Sequence, residues 1–122
     1  MFATYDYTNF PEVKVIFNGS IQDESDYILF TEQWVKLYED KKYFNFLFDM
    51  ENMSVINPRY CYKIASFIND IKSRDVQYLT ESSIINVNNI VHKLLQLVFM
   101  IQSPVSKVTI HTNDGYNTII NP

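Results

Sequence analysis

The spacing of hydrophobic residues changes along the chain, and these changes predict the order of its elements. Residues 3–7 are compatible with a short strand, and residues 13–18 alternate between apolar and polar at their start and are rich in β-branched side chains. Alternation of this kind is typical of β-strands. A turn-like segment at 8–12 separates the two runs, so we expect an opening hairpin whose second strand ends at Gly19.

Apolar residues then recur every three or four positions, the spacing of an amphipathic helix. Between residues 25 and 39 it is set by Tyr27, Phe30, Trp34, Leu37 and Tyr38. Acidic residues precede this segment and lysines follow it, an arrangement that suits the helix dipole at both ends. The pattern predicts an amphipathic helix.

An almost wholly apolar run at 43–49 is short enough for a buried central strand. After a loop at 50–56, Asn57 is a good N-cap and Pro58 a good first helical residue. A second helix to about Lys72 is then predicted, with its buried face on Cys61, Ile64, Ala65, Ile68 and Ile71.

The last third of the chain predicts a strand within 78–86, a third helix, and a closing hairpin. Asn86, Asn88 or Asn89 is the candidate N-cap of the helix. Its apolar stripe is Val87, Ile90, Val91, Leu94, Val98 and Ile101, widened by Leu95 and Phe99. A strand at 105–112, the turn at 113–115 and a strand at 116–120 then indicate a hairpin.

The predicted order is therefore β-β-α-β-α-β-α-β with a C-terminal hairpin, an α/β fold. Connections between neighbouring strands through helices imply a mixed sheet with parallel central strands. No repeat, low-complexity segment or linker divides residues 1–122, so a single domain is expected.

Composition narrows the class of protein. With 47% hydrophobic and 20% charged residues the chain is expected to be globular. Its single cysteine allows no internal disulfide, and two histidines cannot complete a zinc pattern, so we expect no metal or other cofactor. No signal peptide is visible, and the longest apolar zone, at 90–101, is too short to span a bilayer. We expect a soluble, cytoplasmic protein.

Charge and candidate chemistry exclude several functions. The net charge of −4 disfavours a nucleic-acid partner despite the many aromatic residues. Neither glycine belongs to a phosphate-binding loop. Asp49 follows an apolar strand, where aspartate is commonly a loop or capping residue, and Cys61 lies on an apolar helix face. The sequence therefore predicts a non-enzymatic protein.

The element order, together with the stretches at 13–19, 46–50 and 105–110, resembles the STAS family, the sulfate-transporter and anti-sigma-factor-antagonist domains. The similarity covers roughly residues 3–112 and rests on pattern, not on a diagnostic motif. In the antagonists of that family, an aspartate ends a strand and an Asp-Ser pair opens the next helix, where the serine is phosphorylated. The resemblance implies a protein-interaction domain.

Laid on this chain, the resemblance places Asp49 at the strand-end aspartate, Asn57 at the aspartate of the pair and Pro58 at the serine. Proline has no hydroxyl group, so the usual phosphorylation switch is missing. Ser54 lies four residues earlier and could replace the serine only if the loop folded differently. Asn57 and Pro58 would also occur as ordinary capping residues with no function.

The sequence thus predicts a STAS-like domain that binds an unidentified protein. The predicted partner-binding residues are Asp49, Asn52, Ser54, Asn57, Pro58 and Arg59. An alternative is a small-molecule or lipid-binding domain that holds its ligand between helix and sheet. Leu95, Phe99 and Met100 are either covered by the terminal segments or exposed as an apolar interface for a partner or for a homodimer. The second alternative follows from the resemblance, because STAS domains usually end in a further helix and the predicted elements of this chain include none there.

Overall fold

The structure, a computed structural model, describes all 122 residues as three helices and six strands. In chain order the elements are β1 (Ala3–Asp6), β2 (Glu12–Gly19), α1 (Glu24–Glu39), β3 (Phe44–Met53), α2 (Pro58–Lys72), β4 (Leu79–Val87), α3 (Asn89–Ile101), β5 (Lys107–Thr112) and β6 (Asn117–Ile120). The α/β class and the order predicted from the pattern are confirmed, including the C-terminal hairpin.

All six strands form one sheet, and their order in the sheet is their order in the sequence. β2 to β5 are parallel, while β1 and β6 add antiparallel edges to the two ends of this parallel block. Each helix therefore connects two neighbouring strands and each connection moves in the same direction. Because such crossovers are right-handed, all three helices lie on one face of the sheet.

The burial of the strand residues shows the same asymmetry. In β2, Val13, Val15 and Phe17 are buried, whereas Lys14 and Ile16 between them are half-exposed. Side chains alternate between the two faces of a strand, so one face packs against the helices and the other has no helix on it. We call them the covered face and the open face.

Side-chain caps fix where the helices begin. Asp23 Oδ1 accepts a hydrogen bond from the Asp26 N–H at 3.1 Å at the start of α1. Asn88 Oδ1 accepts one from the Val91 N–H at 2.9 Å at the start of α3, which selects Asn88 among its three candidate caps. A cap of this kind satisfies a backbone donor that has no partner within the helix. None of the three helices combines the length and the apolarity needed to cross a membrane.

The third strand extends further than its hydrophobic run predicts. The strand predicted at 43–49 is observed at Phe44–Met53, so the predicted loop at 50–56 shrinks to residues 54–57. The extra residues continue the ladder with β2, where Asn18 pairs with Asn52 and Gly19 with Met53. Backbone pairing accepts exposed polar side chains, and a hydrophobic pattern does not detect them.

The third helix also departs from its predicted stripe. Val87 belongs to β4, and Ile90 and Ile101, at opposite ends of the helix, are 56% and 41% exposed. The buried residues of α3 are Val91 and Val98. The predicted stripe is wider than the buried face because nearly every residue of this helix is apolar, and the buried side depends on how the helix packs on the sheet.

Candidate functional site

The candidate site lies at the edge of the sheet where the parallel strands end and the helices begin. The connections after β2, β3 and β4 all reach this edge, and each leads into a helix. Irregular segments beyond the carboxyl ends of parallel strands are the usual position of ligand and partner sites in open α/β sheets. We call this the carboxyl edge.

Asn57, Pro58 and Arg59 open α2 at the carboxyl edge, as predicted. The Asn57 Oδ1 atom accepts a hydrogen bond from the Arg59 N–H at 2.9 Å, and Pro58 is the first helical residue. Proline is favoured there because the missing N–H would have had no partner within the helix. The start of α2 is therefore fixed by two successive residues.

Most of the predicted partner-binding residues form one exposed stretch. Asn52, Ser54, Asn57, Pro58 and Arg59 are all exposed. The stretch is tied to the sheet, since the Ser54 N–H donates to the Gly19 carbonyl oxygen at 2.8 Å. The carboxyl edge thus combines exposed side chains with a well-supported backbone.

An aromatic cluster extends this surface towards α1. The Arg59 guanidinium lies 5.8 Å from the centre of the Tyr60 ring, and the Tyr60 and Tyr27 rings are 5.9 Å apart. Lys63 forms an ion pair with Glu24 at 2.5 Å and links the two helices. These contacts join the starts of α1 and α2 into one surface.

Asp49 does not share this position, because it lies within β3, four residues before the end of the strand, on the open face. The prediction that it ends the strand is wrong. Its Oδ1 accepts hydrogen bonds from Asn86 Nδ2 at 2.9 Å and from the Glu51 N–H at 3.1 Å. Partial burial disfavours the charged carboxylate, but these hydrogen bonds and the charge of Lys14 outweigh it and lower the pKa of Asp49.

Irregular pairing brings Asp49 and Asn86 together. Between the pairs Ile16 with Asp49 and Asn18 with Asn52, β3 has one residue more than β2, and β4 gains one over β5 just after Ile84. Such bulges change the direction in which a side chain points. Asn86 also has a positive φ of 59°, a conformation that asparagine tolerates better than most residues. The sequence shows no signal for this pairing.

The groups available for chemistry are few. No three side chains among His, Cys, Asp and Glu are grouped so that they could hold a metal ion. Cys61 is buried, and burial raises the pKa of its thiol, which keeps it protonated. The exposed residues of the carboxyl edge provide hydrogen bonds, one cation and apolar contact, which suit recognition of a partner.

The apolar interface predicted on α3 is not one surface. Leu95 and Phe99 pack against the core, whereas Met100 is 78% exposed. Met100 cannot share a helix face with residues one and five positions away. Of the three residues only Met100 is fully exposed, and the interface for a partner or a homodimer stays a prediction.

A cavity inside the core is a second candidate that sequence reasoning did not locate. It measures about 100 Å³, and 20 of its 23 lining residues are hydrophobic. Trp34, Ser82 and Ser106 are among the lining residues, and the atoms Trp34 Nε1 and Ser106 Oγ are buried with no hydrogen-bond partner.

The cavity and its polar atoms carry a free-energy cost. An unpartnered buried polar group costs about 1–3 kcal/mol. By the cost per volume known for core cavities, an empty space of this size costs on the order of 2 kcal/mol.

Comparisons with known proteins found no matching family model, no matching curated protein and no matching solved structure. The resemblance to STAS domains therefore rests on the residues and the order of elements in this chain.

Proposed function

We propose that the protein is a non-enzymatic, STAS-like interaction domain that binds a protein partner through the carboxyl edge. The contact surface is the exposed stretch from Asn52 to Arg59 and the first turn of α2. Asp49 contributes indirectly, because its hydrogen bond to Asn86 ties β3 to β4 behind this surface. Binding does not depend on phosphorylation at Pro58, which has no hydroxyl group.

The observation that carries the proposal is a stretch of mostly exposed side chains, from Asn52 to Arg59, on a backbone that is tied to the sheet. Val55 is 56% exposed at its centre, and it is flanked by the exposed polar residues Ser54 and Asn57. The side chain of Ile56 is 2% exposed and anchors the stretch to the core. A surface that is already ordered loses less entropy when it binds, which favours partner recognition.

Electrostatics at the edge support the same proposal. Arg59 supplies a guanidinium 5.8 Å from the centre of the Tyr60 ring, and arginine and tyrosine are both enriched at the energetic centres of protein interfaces. The fold adds support of a weaker kind, since the strand, loop and capped helix have the order that the STAS resemblance implies.

The test is affinity capture with the double variant Val55→Ser, Arg59→Glu. Asn57 is left intact because removing a side-chain N-cap costs about 1 kcal/mol and would confound binding with stability. Glutamate in the first turn of a helix is favourable, so the variant is expected to remain folded. We expect proteins captured by the wild-type chain to be lost from the variant.

The chain contains a matched control at the opposite edge of the sheet. Arg74 and Val76 are both exposed and lie in the connection from α2 to β4. Val76→Ser, Arg74→Glu therefore makes the same chemical changes away from the carboxyl edge, and we expect it to retain every partner. Equal capture by both double variants would refute the carboxyl edge as the binding surface.

A further inference from the structure

The core cavity is bounded by the sheet and by all three helices. Its walls include Phe48 and Ile84 from the covered face, Trp34 from α1, Cys61 from α2 and Val98 from α3. No Asp, Glu, Lys, Arg or His lines it. A charged group would have no counter-charge in such a space and would lose its hydration, so any occupant has to be uncharged.

The surface of the cavity is almost wholly apolar. Ser82, Pro104 and Ser106 are the only lining residues outside the hydrophobic class, which supplies the other 20 of the 23. A buried water molecule is held by two to four polar partners, and cavities with apolar walls stay dry. A polar molecule would likewise give up its hydrogen bonds to water without replacing them. The walls therefore favour a hydrocarbon.

The wall of the cavity formed by α3 is the least deeply buried. Four residues are buried in each of α1 and α2, but only two are buried in α3. Three other residues of α3 line the cavity and are half-buried, namely Leu94, Leu95 and Phe99. Segments with few buried apolar contacts open more readily than the rest of a fold. We therefore expect a ligand to enter beside α3.

We propose that the cavity is a binding site for a small, uncharged and wholly apolar molecule, a hydrocarbon no larger than a single six-membered ring. The cavity measures about 100 Å³. An apolar core cavity of about 150 Å³ is known to stay dry and to bind benzene or xenon, so one ring sets the upper size. Binding restores the van der Waals contacts that the lining atoms lack around an empty space. This function does not depend on partner binding at the carboxyl edge.

Benzene is the probe for this site, and methyl NMR of the ¹³C-labelled protein is the measurement. The ring current of a bound benzene molecule shifts nearby methyl signals, so the signals of the lining residues Ile84, Val98 and Val108 should move in a saturable manner. Ile85 on the open face is the internal control and should not move. We expect a dissociation constant of about 1 mM or tighter.

Pyridine tests whether the site selects apolar molecules. It has nearly the size and shape of benzene, but its ring nitrogen accepts a hydrogen bond from water and would lose that bond in the cavity. We expect pyridine, measured above pH 7 where it is neutral, to bind at least about fivefold more weakly than benzene.

Two valine variants separate binding in the cavity from binding elsewhere. Ser82 lines the cavity, so Ser82→Val occupies part of its volume and should weaken benzene binding at least about tenfold. Ser83 is on the open face, and Ser83→Val should leave the affinity for benzene unchanged. The wild-type titrations with benzene and pyridine decide the question if Ser82→Val does not fold.

Three results would overturn the proposal. The first is a set of wild-type methyl signals that do not move up to the solubility limit of benzene. The second is equal affinity for benzene in the wild type and in folded Ser82→Val, because benzene would then lie elsewhere. The third is pyridine binding as tightly as benzene, because the walls would then offer a hydrogen bond.

Discussion

Residues 82–85 of β4 allow the two faces of the sheet to be compared with the same residue types on each. Ser82 and Ile84 are on the covered face and are 4% and 3% exposed, whereas Ser83 and Ile85 are on the open face and are half-exposed. Each face therefore has one serine and one isoleucine. Residue type did not decide which of them is buried; position along the strand did.

The neighbouring strands explain this difference. Ser82 is paired with Phe46 and Val108, and all three are buried. Ser83 is paired with Leu47 and Thr109, which are half-exposed. Since every helix is on one side, the covered face provides the core, and the open face is stabilised by cross-strand contacts alone.

The largest expected effect comes from truncating the two isoleucines. Ile84→Ala should lower the free energy of unfolding by about 2–5 kcal/mol, because it enlarges the space inside the core. Ile85→Ala should cost less than about 1 kcal/mol, because its side chain already touches solvent. Urea denaturation of the two variants measures both values. Similar losses would mean that something packs on the open face.

The paired serines should give a smaller effect of opposite sign. Ser82→Val places two methyl groups against the core cavity and should raise the free energy of unfolding by about 1 kcal/mol. Ser83→Val is the control for the higher strand propensity of valine, and the difference between the two variants isolates the packing term. Thermal or urea denaturation serves as the measurement. A destabilised Ser82→Val would show that the buried hydroxyl group is needed.

The smallest effect concerns Asp49 on the open face. Because its pKa is lowered in the folded protein, the carboxylate contributes stability above the unfolded pKa, which is about 3.9, and loses it as the pH falls through the folded value. Solvent screening keeps this contribution below about 1 kcal/mol. Asp49→Asn should therefore be slightly less stable than wild type at pH 7, and the difference should vanish in acid.

Urea midpoints of the wild type and Asp49→Asn between pH 7 and pH 2.5 test this prediction. The comparison removes the titration of the other carboxylates, which both proteins share. A difference that grows in acid would contradict the assigned direction of the pKa shift.

The fold was largely predictable because its signals are local. The periodicity of α1 and α2, the Asn57 cap and the turn at 113–115 each depend on a few adjacent residues, and the structure agrees with all three. The predictions failed where the signal depends on a neighbouring strand or helix. The end of β3 is set by pairing with β2, and the buried side of α3 is set by its position on the sheet.

The candidate sites divide in the same way. The exposed residues around Asn57 follow from the cap and the loop and could be named from the sequence. The hydrogen bond between Asp49 and Asn86 joins residues 37 positions apart through two bulges. The cavity requires residues from three helices and four strands to leave a space unfilled, and no pattern of residue types reveals that.

The sequence by itself determined the order of helices and strands, the start of α2 at Asn57 and the absence of a hydroxyl group at Pro58, since each depends on covalent chemistry or on neighbours within one turn. Only the tertiary structure decided which face of the sheet is covered and that Trp34 borders a cavity with an unpartnered N–H. The physical reason is that burial and hydrogen bonding between distant residues depend on how the whole chain packs. A sequence pattern specifies only on which side of its own helix or strand each side chain lies.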